Sequence, residues 1–490
     1  MLTHNMVLID EEVHLTVKTA DPVYFLFASR YTNYLLGKLF WNGRIIPFFS
    51  DFLALVIWNV SAFLFGSVFF REEHTPVVRF ISLAYFSSVP FCVGEMFAFS
   101  QVILETSFGM AFTALAFVLT VLAEDRTGIY KRVMICYIPS VVLLTLAFGS
   151  YQAFICVYVT AAVSYCLMRL WEKKPYVKVL LTAGTLCLAS MLCYVLINRL
   201  ITGMIISRVI ANTTYLSDNY IGWRSGGVLK AAFMALANVI RVSFAIPVKG
   251  VRVYGGAPIC MLTVMFAALA AYKTGIERDN KERIKTVLLS ISVVAAPFCL
   301  YIALGTYKTL GRMMLALSMS GMAEILLLFR YSSSDVWKRS LLALFAAALI
   351  SNAVFMNVIY YSAYRAYSAD IETADEIVDD IREKTDKTEN KKAVFIGARD
   401  REEKIMPTDA TLGASFFEWD GGVNYRLRAF FELRGCYFLE SSFWDIDKGL
   451  SLSEGMNPWP EDDSIRIVDD MVIIYLNEPT AEWYSANLYR

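Results

Sequence analysis

Residues 133–170 read VMICYIPSVVLLTLAFGSYQAFICVYVTAAVSYCLMRL, an apolar run with one charged side chain, Arg169. A helix needs about 17 to 25 such residues to cross the roughly 30 Å hydrocarbon core of a bilayer, so one helix of this length would overshoot it. We therefore divide the run at Gly149-Ser150 into two membrane-spanning helices. The division makes Ser150-Tyr151-Gln152 a short polar turn between them.

The same length rule, applied outward from this run, predicts about ten membrane-spanning helices. The predicted spans are residues 51–70, 80–94, 104–123, 133–149, 151–169, 179–198, 257–272, 286–304, 312–330 and 340–359. The composition agrees, because 57% of the residues are hydrophobic and 18% are charged, whereas soluble proteins average about 45 to 50% and about 25%. The sequence therefore predicts an α-helical polytopic membrane protein whose bundle occupies residues 51–360.

The formal net charge of zero is the sum of two unlike parts. Residues 361–490 contain 15 Lys+Arg and 27 Asp+Glu, a net of 15 − 27 = −12, so residues 1–360 have a net charge of +12. A neutral total disfavours a nucleic-acid partner. The split predicts a basic membrane part that is followed by an acidic domain.

Basic loops alternate with less basic ones along the chain, and this alternation predicts orientation. Lys and Arg concentrate in short cytoplasmic loops, and here they recur in residues 71–79, 124–132, 170–178, 273–285 and 331–339. The opposite set is then extracytoplasmic: residues 1–50, the turn at Ser150, the loop 199–256 and the domain 361–490. Both termini of this sequence are therefore predicted to lie outside a cell membrane. Because residues 1–50 contain no run that can cross a bilayer, we expect one more helix to precede them in the natural chain; the alternative is a genuine start with an exported N-terminal segment.

Two extracytoplasmic segments have patterns of their own. In the loop 199–256, residues 227–247 have the spacing of an amphipathic helix, which either clamps a lipid-linked substrate or only packs on the bundle. In the C-terminal domain, residues 370–387 have helical periodicity, residues 393–397 read as a buried strand, and residues 465–476 read as strand interrupted by Asp469-Asp470. A small α/β domain is predicted.

Soluble catalytic signatures are absent from the sequence, which has no P-loop, no Gly-x-Ser-x-Gly elbow, no Cys-x-x-Cys pair and only three histidines. The nine cysteines have no metal-type spacing, and we interpret them as small apolar packing residues. The acidic run Asp10-Glu11-Glu12 lies in an otherwise apolar segment. Its carboxylates can act as a general base towards a sugar hydroxyl or bind a divalent cation, and the alternative is a set of solvated loop charges.

Several charged side chains in or next to the predicted spans are further candidates for functional residues. A charged group inside a membrane costs free energy, so it is usually retained for a function. Arg30, Lys308 and Arg312 can bind a phosphate group, and the alternative for Arg312 is snorkelling to lipid phosphate. Glu95 and Glu105 flank an outer segment, and Glu324 lies inside a predicted span as either a structural partner or a site. Acids that activate a hydroxyl, together with cations that bind a phosphate, suit a sugar transferase with a lipid-phosphate donor.

The order of short motifs along the chain resembles a known family. The motifs are Thr3-His4-Asn5, Asp10-Glu11-Glu12, Ser29-Arg30-Tyr31, Gly43-Arg44, Ser150-Tyr151-Gln152-Ala153-Phe154, Gly311-Arg312 and Val394-Phe395-Ile396-Gly397. In this order the chain resembles the Gtr-type glucosyl transferases (the Glucos_trans_II family). These are membrane enzymes of the GT-C class known from phage-encoded modification of O-antigen.

The resemblance implies a glucosyltransferase that moves a glucosyl or related hexosyl unit from a polyprenyl-phosphate sugar to a cell-surface polysaccharide, on the outer side of the cytoplasmic membrane. It implies Asp10 and Glu11 as base or acceptor-orienting acids, with Glu12 as a third candidate. It also implies Arg312 and Lys308 as the clamp for the donor phosphate. Tyr151 and Gln152 are further candidates, together with Arg30 and Glu95. No cofactor or metal ligand is implied, although the acidic run permits a divalent cation. A transporter or flippase of lipid-linked sugars is the alternative function, and a non-catalytic scaffold is a third.

Overall fold

The computed structural model describes residues 6–16, 22–40, 47–71, 75–205, 221–223, 227–247, 253–305, 310–332, 334–385, 387–399 and 412–488. The chain divides into two compact units. The membrane unit is Asp21–Met356, and the terminal unit combines Met1–Ala20 with Asn357–Arg490. This division differs from the predicted segments 1–50, 51–360 and 361–490, because the first twenty residues pack with the C-terminal part of the chain.

Among the described residues, eight helices are long and apolar enough to cross a membrane. These spans are Phe48–Phe69, Ile103–Asp125, Ile129–Ser150, Phe154–Trp171, Val177–Ile205, Gly256–Ile276, Asn280–Leu304 and Asp335–Lys384. The other two predicted spans are shorter helices, Pro76–Phe86 with 11 residues and Ala316–Arg330 with 15. Of the ten predicted spans, eight are therefore helices of full length in the described part of the chain, and two are short helices.

The two short helices have separate causes. Val89, which precedes Pro90, adopts an extended conformation with φ −69° and ψ 110°, as the proline ring requires of its predecessor. The predicted span 80–94 consequently breaks there, and a π-helical turn, Pro90–Gly94, follows. Helix Ala316–Arg330 starts late because a 3₁₀ turn, Gly311–Met313, comes before it. Nearly all of its side chains are buried, as expected of a helix that is apolar on every side and lies at the centre of a bundle.

The predicted division of the run 133–170 is confirmed. One helix ends at Ser150, Tyr151 has an extended backbone with φ −154°, and the next helix starts at Phe154. Before the first of these helices lie Ile129–Lys131 and the π-helical segment Arg132–Tyr137, followed by Ile138–Ser150.

Ion pairs join the loops that are predicted to be cytoplasmic. Arg71 bonds to Asp125 at 3.2 Å, and Arg330 bonds to Glu172 at 2.8 Å. Lys173 also pairs with Glu277. These loops therefore lie together at one end of the membrane unit, as the alternation of basic loops predicts. The cytoplasmic orientation of this end remains a prediction.

The predicted amphipathic helix in the loop 199–256 is the helix Val228–Ser243. It buries small and polar residues such as Ala231 and Asn238, and it exposes large apolar side chains such as Leu229 and Phe233. This arrangement suits contact with hydrocarbon. The described part of the membrane unit also contains the short helices Tyr24–Phe27 and Tyr31–Phe40, and the span Asn280–Leu304 ends in helix Cys299–Leu304.

Helix Asp335–Lys384 includes both the last predicted span and the charged stretch after it. The two form one helix because no Gly or Pro lies between residues 336 and 384. Its last turns bury Ala374, Ile377, Val378 and Ile381, which are the residues at helical spacing in the sequence.

The terminal unit contains the predicted small α/β structure. Strands β1 (Lys392–Ile396), β2 (Ile465–Val468) and β3 (Met471–Tyr475) form a sheet in the order β1-β3-β2. Strand β3 is parallel to β1 and antiparallel to β2, and the interruption at Asp469-Asp470 is the turn of the β2-β3 hairpin. Besides Asp335–Lys384, the described residues of this unit form the α-helices Glu11–Thr16, Asn424–Leu433, Phe443–Leu452 and Ala481–Asn487.

Both faces of this sheet are buried. Phe395, Val472 and Ile474 join one apolar cluster that also includes Ile9. Val394, Ile396 and Ile473 join a second cluster with Trp483. The alternation follows from the two-residue period of a strand.

Candidate functional site

The acidic run of the N-terminal segment contacts an arginine of the terminal unit. Arg426 Nη2 lies 2.6 Å from Asp10 Oδ1, and its Nη1 lies 2.9 Å from Glu12 Oε1. Its Nε lies 3.6 Å from Asp420 Oδ2. We call these four residues the Arg426 cluster. One guanidinium therefore faces three carboxylates.

Local backbone geometry positions the members of the Arg426 cluster. Asp10 has φ 84° and Asp420 has φ 51°, in the left-handed region that Asp tolerates better than most residues. The turn before helix Glu11–Thr16 is closed by Glu11, whose Oε2 accepts a hydrogen bond from Leu8 N at 3.0 Å. The helix that carries Arg426 is held to strand β1 by Asn424, whose side chain bonds to Phe395 N at 2.7 Å and to Phe395 O at 2.9 Å.

Burial controls the charges at the Arg426 cluster. Glu12 has no exposed surface, and burial raises the pKa of Glu12 to about 7 although the Arg426 guanidinium acts in the opposite direction. Burial likewise lowers the pKa of His14 to about 4, so this imidazole is neutral at pH 7. The pKa of Arg426 is raised by its acidic neighbours Asp10 and Glu12 against the effect of its own burial. The guanidinium is therefore a permanent cation beside acids of unequal strength.

The three predicted acids have different environments. Asp10 has 43% of its side chain exposed, whereas Glu11 and Glu12 are buried. The alternative of solvated loop charges is therefore wrong for Glu11 and Glu12. Arg426 already supplies a cation to both Asp10 and Glu12, where a divalent cation on the acidic run would bind. Within the described ranges, no group of three or more His, Cys, Asp or Glu residues is arranged to hold a metal ion.

A second cluster lies in the membrane unit at the turn after Ser150. The Arg30 guanidinium stacks on the Tyr151 ring at 4.6 Å from its centroid. Gln152 Nε2 lies 3.1 Å from Ala28 O and 2.9 Å from the Tyr194 hydroxyl. The Tyr194 hydroxyl donates to Ser29 O at 3.1 Å. We call Arg30, Tyr151, Gln152 and Tyr194 the Arg30 cluster. It joins the predicted site residue Arg30 to two others, Tyr151 and Gln152, that lie about 120 positions later in the sequence.

The guanidinium of the Arg30 cluster is only partly satisfied. Its Nε is buried and has no hydrogen-bond partner among the described residues, and none of the ion pairs in the described ranges includes Arg30. Buried polar groups usually find a partner, so an unpaired donor of this kind calls for an explanation. Ser29, which precedes Arg30, has φ 57°. This left-handed backbone conformation costs free energy in a residue other than glycine.

A third cluster in the membrane unit joins Glu95 and Arg312. Glu95 is 1% exposed, and its Oε1 lies 2.9 Å from Arg312 Nη1. Its Oε2 accepts hydrogen bonds from Arg312 N at 3.2 Å and from the Tyr254 hydroxyl at 3.1 Å. We call these three residues the Glu95 cluster. The structure thus places the predicted candidates Arg312 and Glu95 together, with the charge of Arg312 offset by a buried acid.

The remaining predicted residues do not belong to these three clusters. Lys308 lies outside the described residues, as do Thr3-His4-Asn5 and Gly43-Arg44. Glu324 is buried and accepts a hydrogen bond from Ser320 Oγ at 2.9 Å. All nine cysteines lie in the described ranges, and all are unpaired thiols.

Comparison with known protein families finds a match in the N-terminal part of the chain. The family model described as Glucosyl transferase GtrII matches residues 1–230. The resemblance to the Gtr-type glucosyl transferases is confirmed. No curated protein and no solved structure matches the chain. The GtrII match supports a glycosyltransferase function for this membrane protein.

The GtrII region, residues 1–230, contains the whole Arg30 cluster. It also contains Asp10 and Glu12, whereas their partner Arg426 lies beyond it, as does Arg312 of the Glu95 cluster. Four residues of these clusters were not predicted from the sequence: Arg426, Asp420, Tyr194 and Tyr254. No motif in the sequence around these residues distinguishes them. Their contacts with the other members of the clusters are seen only in the folded chain.

Proposed function

We propose that this chain is a membrane glucosyltransferase that moves a glucosyl or related hexosyl unit from a polyprenyl-phosphate donor to a cell-surface polysaccharide. The observation that carries the proposal is the Arg30 cluster, a half-buried guanidinium without a carboxylate partner among the described residues, inside the region that matches the GtrII family. A lipid bilayer, a lipid-linked sugar and a surface glycan are its proposed partners.

Arg30 suits the phosphate of the donor better than Arg312 does. Stacking on Tyr151 uses the face of the guanidinium and directs its N–H groups sideways. A phosphate beside the guanidinium would supply the anionic partner that Arg30 lacks among the described residues. Arg312, in contrast, already meets a buried carboxylate, Glu95.

Gln152 and Tyr194 are proposed as positioning residues for Arg30. Their hydrogen bonds to the carbonyl oxygens of Ala28 and Ser29 hold the segment immediately before Arg30. They therefore fix the backbone from which the guanidinium extends, and a preorganised cation stabilises a leaving phosphate without rearrangement.

A large apolar cavity in the membrane unit supports a lipid-linked donor. Its volume is about 760 Å³, within the usual range of ligand sites, roughly 300 to 1,000 Å³. Small residues, among them Ala235, Ala267 and Ala271, open space between three helices, Val228–Ser243, Gly256–Ile276 and Asn280–Ala295. Hydrocarbon chains fill such a cavity favourably, so we propose that it accommodates part of the polyprenyl chain.

Asp10 is the proposed general base, because it is the one member of the predicted acidic run with a substantially exposed carboxylate. In the transfer, the acceptor oxygen bonds to the anomeric carbon while the bond from that carbon to the phosphate oxygen breaks. The base takes the hydroxyl proton, and polyprenyl phosphate leaves as an anion that a cation stabilises. Glu11 and Glu12 support the acidic segment from buried positions, and no metal ion is needed for these steps.

The test uses full-length protein in nanodiscs with radiolabelled polyprenyl-phosphate glucose and a purified surface polysaccharide. Loss of one charge-assisted hydrogen bond costs about 1.5 to 3 kcal/mol, so Arg30→Ala is expected to lower kcat/KM for the donor roughly 10- to 100-fold. Arg30→Lys should recover little, because an ammonium does not stack or bind in the same way. Arg126→Ala, an exposed arginine in a loop predicted to be cytoplasmic, is the matched control.

Two results would contradict the proposal. Unchanged donor kinetics in Arg30→Ala would remove Arg30 from the phosphate site, and retained transfer in Asp10→Asn would remove Asp10 as the base. Movement of labelled lipid across sealed vesicles without transfer to glycan would instead favour the alternative, a flippase of lipid-linked sugars.

A further inference from the structure

Exposed aromatic side chains of the terminal unit lie on helix Asp335–Lys384, at Tyr361 and Tyr364, and in one short segment beyond that helix. Within the described residues 387–399 and 412–488, the large apolar side chains that are exposed lie in residues 437–444. They are Tyr437, Leu439, Phe443 and Trp444, and Trp444 is 75% exposed. We call these four side chains the aromatic platform. A cluster of this kind on an acidic, otherwise polar surface marks an interaction site.

The aromatic platform is rigidly supported by the sheet. Leu439 N donates to Lys391 O at 2.8 Å, and Ser441 Oγ donates to Ala393 O at 2.6 Å. Buried and exposed side chains alternate along this segment: Cys436 and Phe438 are buried, whereas Tyr437 and Leu439 are exposed. The segment therefore runs along the edge of strand β1 with its outward side chains held in place.

A helix cap fixes the other half of the aromatic platform. Ser442 and Asp445 form a reciprocal capping box at the start of helix Phe443–Leu452, an arrangement that stabilises the first turn of a helix. Asp445 also pairs with Lys392 Nζ at 2.8 Å. Phe443 and Trp444 occupy this first turn, with ring centroids 5.4 Å apart and planes at 88°. Binding to preordered rings loses little side-chain entropy.

We propose that the aromatic platform binds the polysaccharide acceptor. The face of an aromatic ring carries partial negative charge, and the C–H bonds on one face of a pyranose ring present partial positive charge to it. Two exposed acidic side chains, Glu440 and Asp447, are close to these rings in the sequence, and carboxylates can accept hydrogen bonds from sugar hydroxyls. Rings combined with polar acceptors suit a glycan chain.

Charge favours a glycan over the other occupants of an exposed apolar surface. Residues 361–490 have a net charge of −12, so an anionic lipid surface repels this part of the chain, and so does a second copy of it. A neutral or weakly charged glycan is not repelled. This assignment names the acceptor subsite of the proposed function and rests on that function for the identity of the acceptor.

The experiment measures binding separately from transfer. Full-length protein in nanodiscs is titrated, without donor, with the surface polysaccharide that serves in the transfer assay, and binding is followed by the mobility of the nanodiscs in gels that contain the polysaccharide. Trp444→Ala and Trp444→Leu are expected to raise the dissociation constant roughly 3- to 10-fold, the value of one good aromatic contact. Trp444→Phe keeps an aromatic face and should retain most of the affinity. With donor present, the acceptor KM should rise by the same factor while kcat and the donor KM stay unchanged.

Trp444→Leu is the decisive variant, because it keeps an apolar side chain but removes the ring. Wild-type glycan affinity in this variant would overturn the proposal. It would also be overturned by Trp444-dependent co-sedimentation with phosphatidylglycerol vesicles or by Trp444-dependent self-association, since each assigns the aromatic platform to another occupant. If no transfer occurs but glycan binding depends on the Trp444 ring, the proposed function fails while the glycan site stands.

Discussion

Arg426 Nη2 donates a hydrogen bond to Asp10 Oδ1 at 2.6 Å, although the two residues are 416 positions apart in the chain. The same guanidinium bonds to Glu12 at 2.9 Å. The C-terminal part of the protein therefore contacts the acidic run, in which Asp10 is the proposed general base.

Replacement of Arg426 should destabilise the terminal unit. Arg426→Ala removes the cation from a fully buried carboxylate, Glu12, and breaking such a pair typically costs about 3 to 5 kcal/mol. We expect the melting temperature of the terminal unit to fall by about 6 to 20 °C, measured by thermal unfolding of purified protein. Arg426→Lys should recover only part of this loss, because one ammonium cannot bind two carboxylates in the same geometry.

Arg428→Ala is the matched control for Arg426→Ala, since it removes an arginine two positions away on the same helix. Arg428 pairs with Glu432 at 3.6 Å, and both side chains are partly exposed. Pairs of this type contribute about 1 kcal/mol or less. Equal effects of the two substitutions would show that the Arg426 cluster has no special role in stability.

The pH dependence of stability should report Glu12. Its pKa is about 7 in the folded protein against an ordinary value of 4.5, so the folded state binds the proton more tightly than the unfolded state does. The resulting stabilisation is fully present below pH 4.5 and is lost as the pH rises through 7. The difference is about 3 kcal/mol at most.

Glu12→Gln, which is neutral at every pH, should therefore gain stability relative to the wild type as the pH rises from 5 to 8. Melting temperatures at pH 5, 6, 7 and 8 measure this gain. Glu482→Gln, an exposed substitution in the same unit, corrects for general effects of pH. Parallel curves for wild type and Glu12→Gln would contradict the raised pKa of Glu12.

The Glu95 cluster should show strong coupling between its two charges. Arg312→Ala leaves the nearly fully buried Glu95 without its guanidinium partner, which is costly. Glu95→Gln also breaks the pair but removes the buried charge. We therefore expect the double variant to be less destabilised than the sum of the single variants, with a coupling energy of about 1 to 3 kcal/mol in a thermal-unfolding cycle. Additive effects would mean that the contact contributes nothing to folding.

The parts of the fold that follow from local physical rules were predicted from the sequence. Membrane thickness limits helix length, and this limit located the division at Gly149-Ser150. A short apolar run that ends at Gly397 located strand β1, and the interrupted strand predicted over residues 465–476 is the β2-β3 hairpin in the structure. The break before Pro90 was also readable in principle, because it depends on a single residue and its predecessor.

The clusters of charged residues were only partly predictable. Arg30, Tyr151 and Gln152 were each singled out, but no local pattern joins a residue before helix Tyr31–Phe40 to a turn about 120 positions later. No sequence pattern indicated a role for Arg426, because its partners Asp10 and Glu12 lie more than 400 positions away in the chain. Contacts of this kind depend on the packing of whole elements, which the sequence encodes only through many weak interactions.

Gly149 should be essential for the placement of the Arg30 cluster. A Cβ atom at this position would lie 2.4 Å from Tyr31 Cζ and 2.6 Å from Thr32 Oγ1. Tyr31 follows Arg30 directly and is fixed by its own hydrogen bond to Thr145 O at 2.8 Å. Gly149→Ala must therefore displace the start of helix Tyr31–Phe40, and overpacking of this kind costs about 1 to 3 kcal/mol. We expect lower thermal stability and a raised donor KM in the transfer assay.

Gly184→Ala is the matched control, because Gly184 also lies inside a membrane-spanning helix but a Cβ there would meet nothing within 4 Å. The methyl group should leave stability unchanged or raise it by up to about 1 kcal/mol, since alanine favours a helix over glycine. Donor KM should stay at the wild-type value. If Gly149→Ala behaves like Gly184→Ala in both measurements, close contact between the turn at Ser150 and the segment of Arg30 is not what positions the guanidinium.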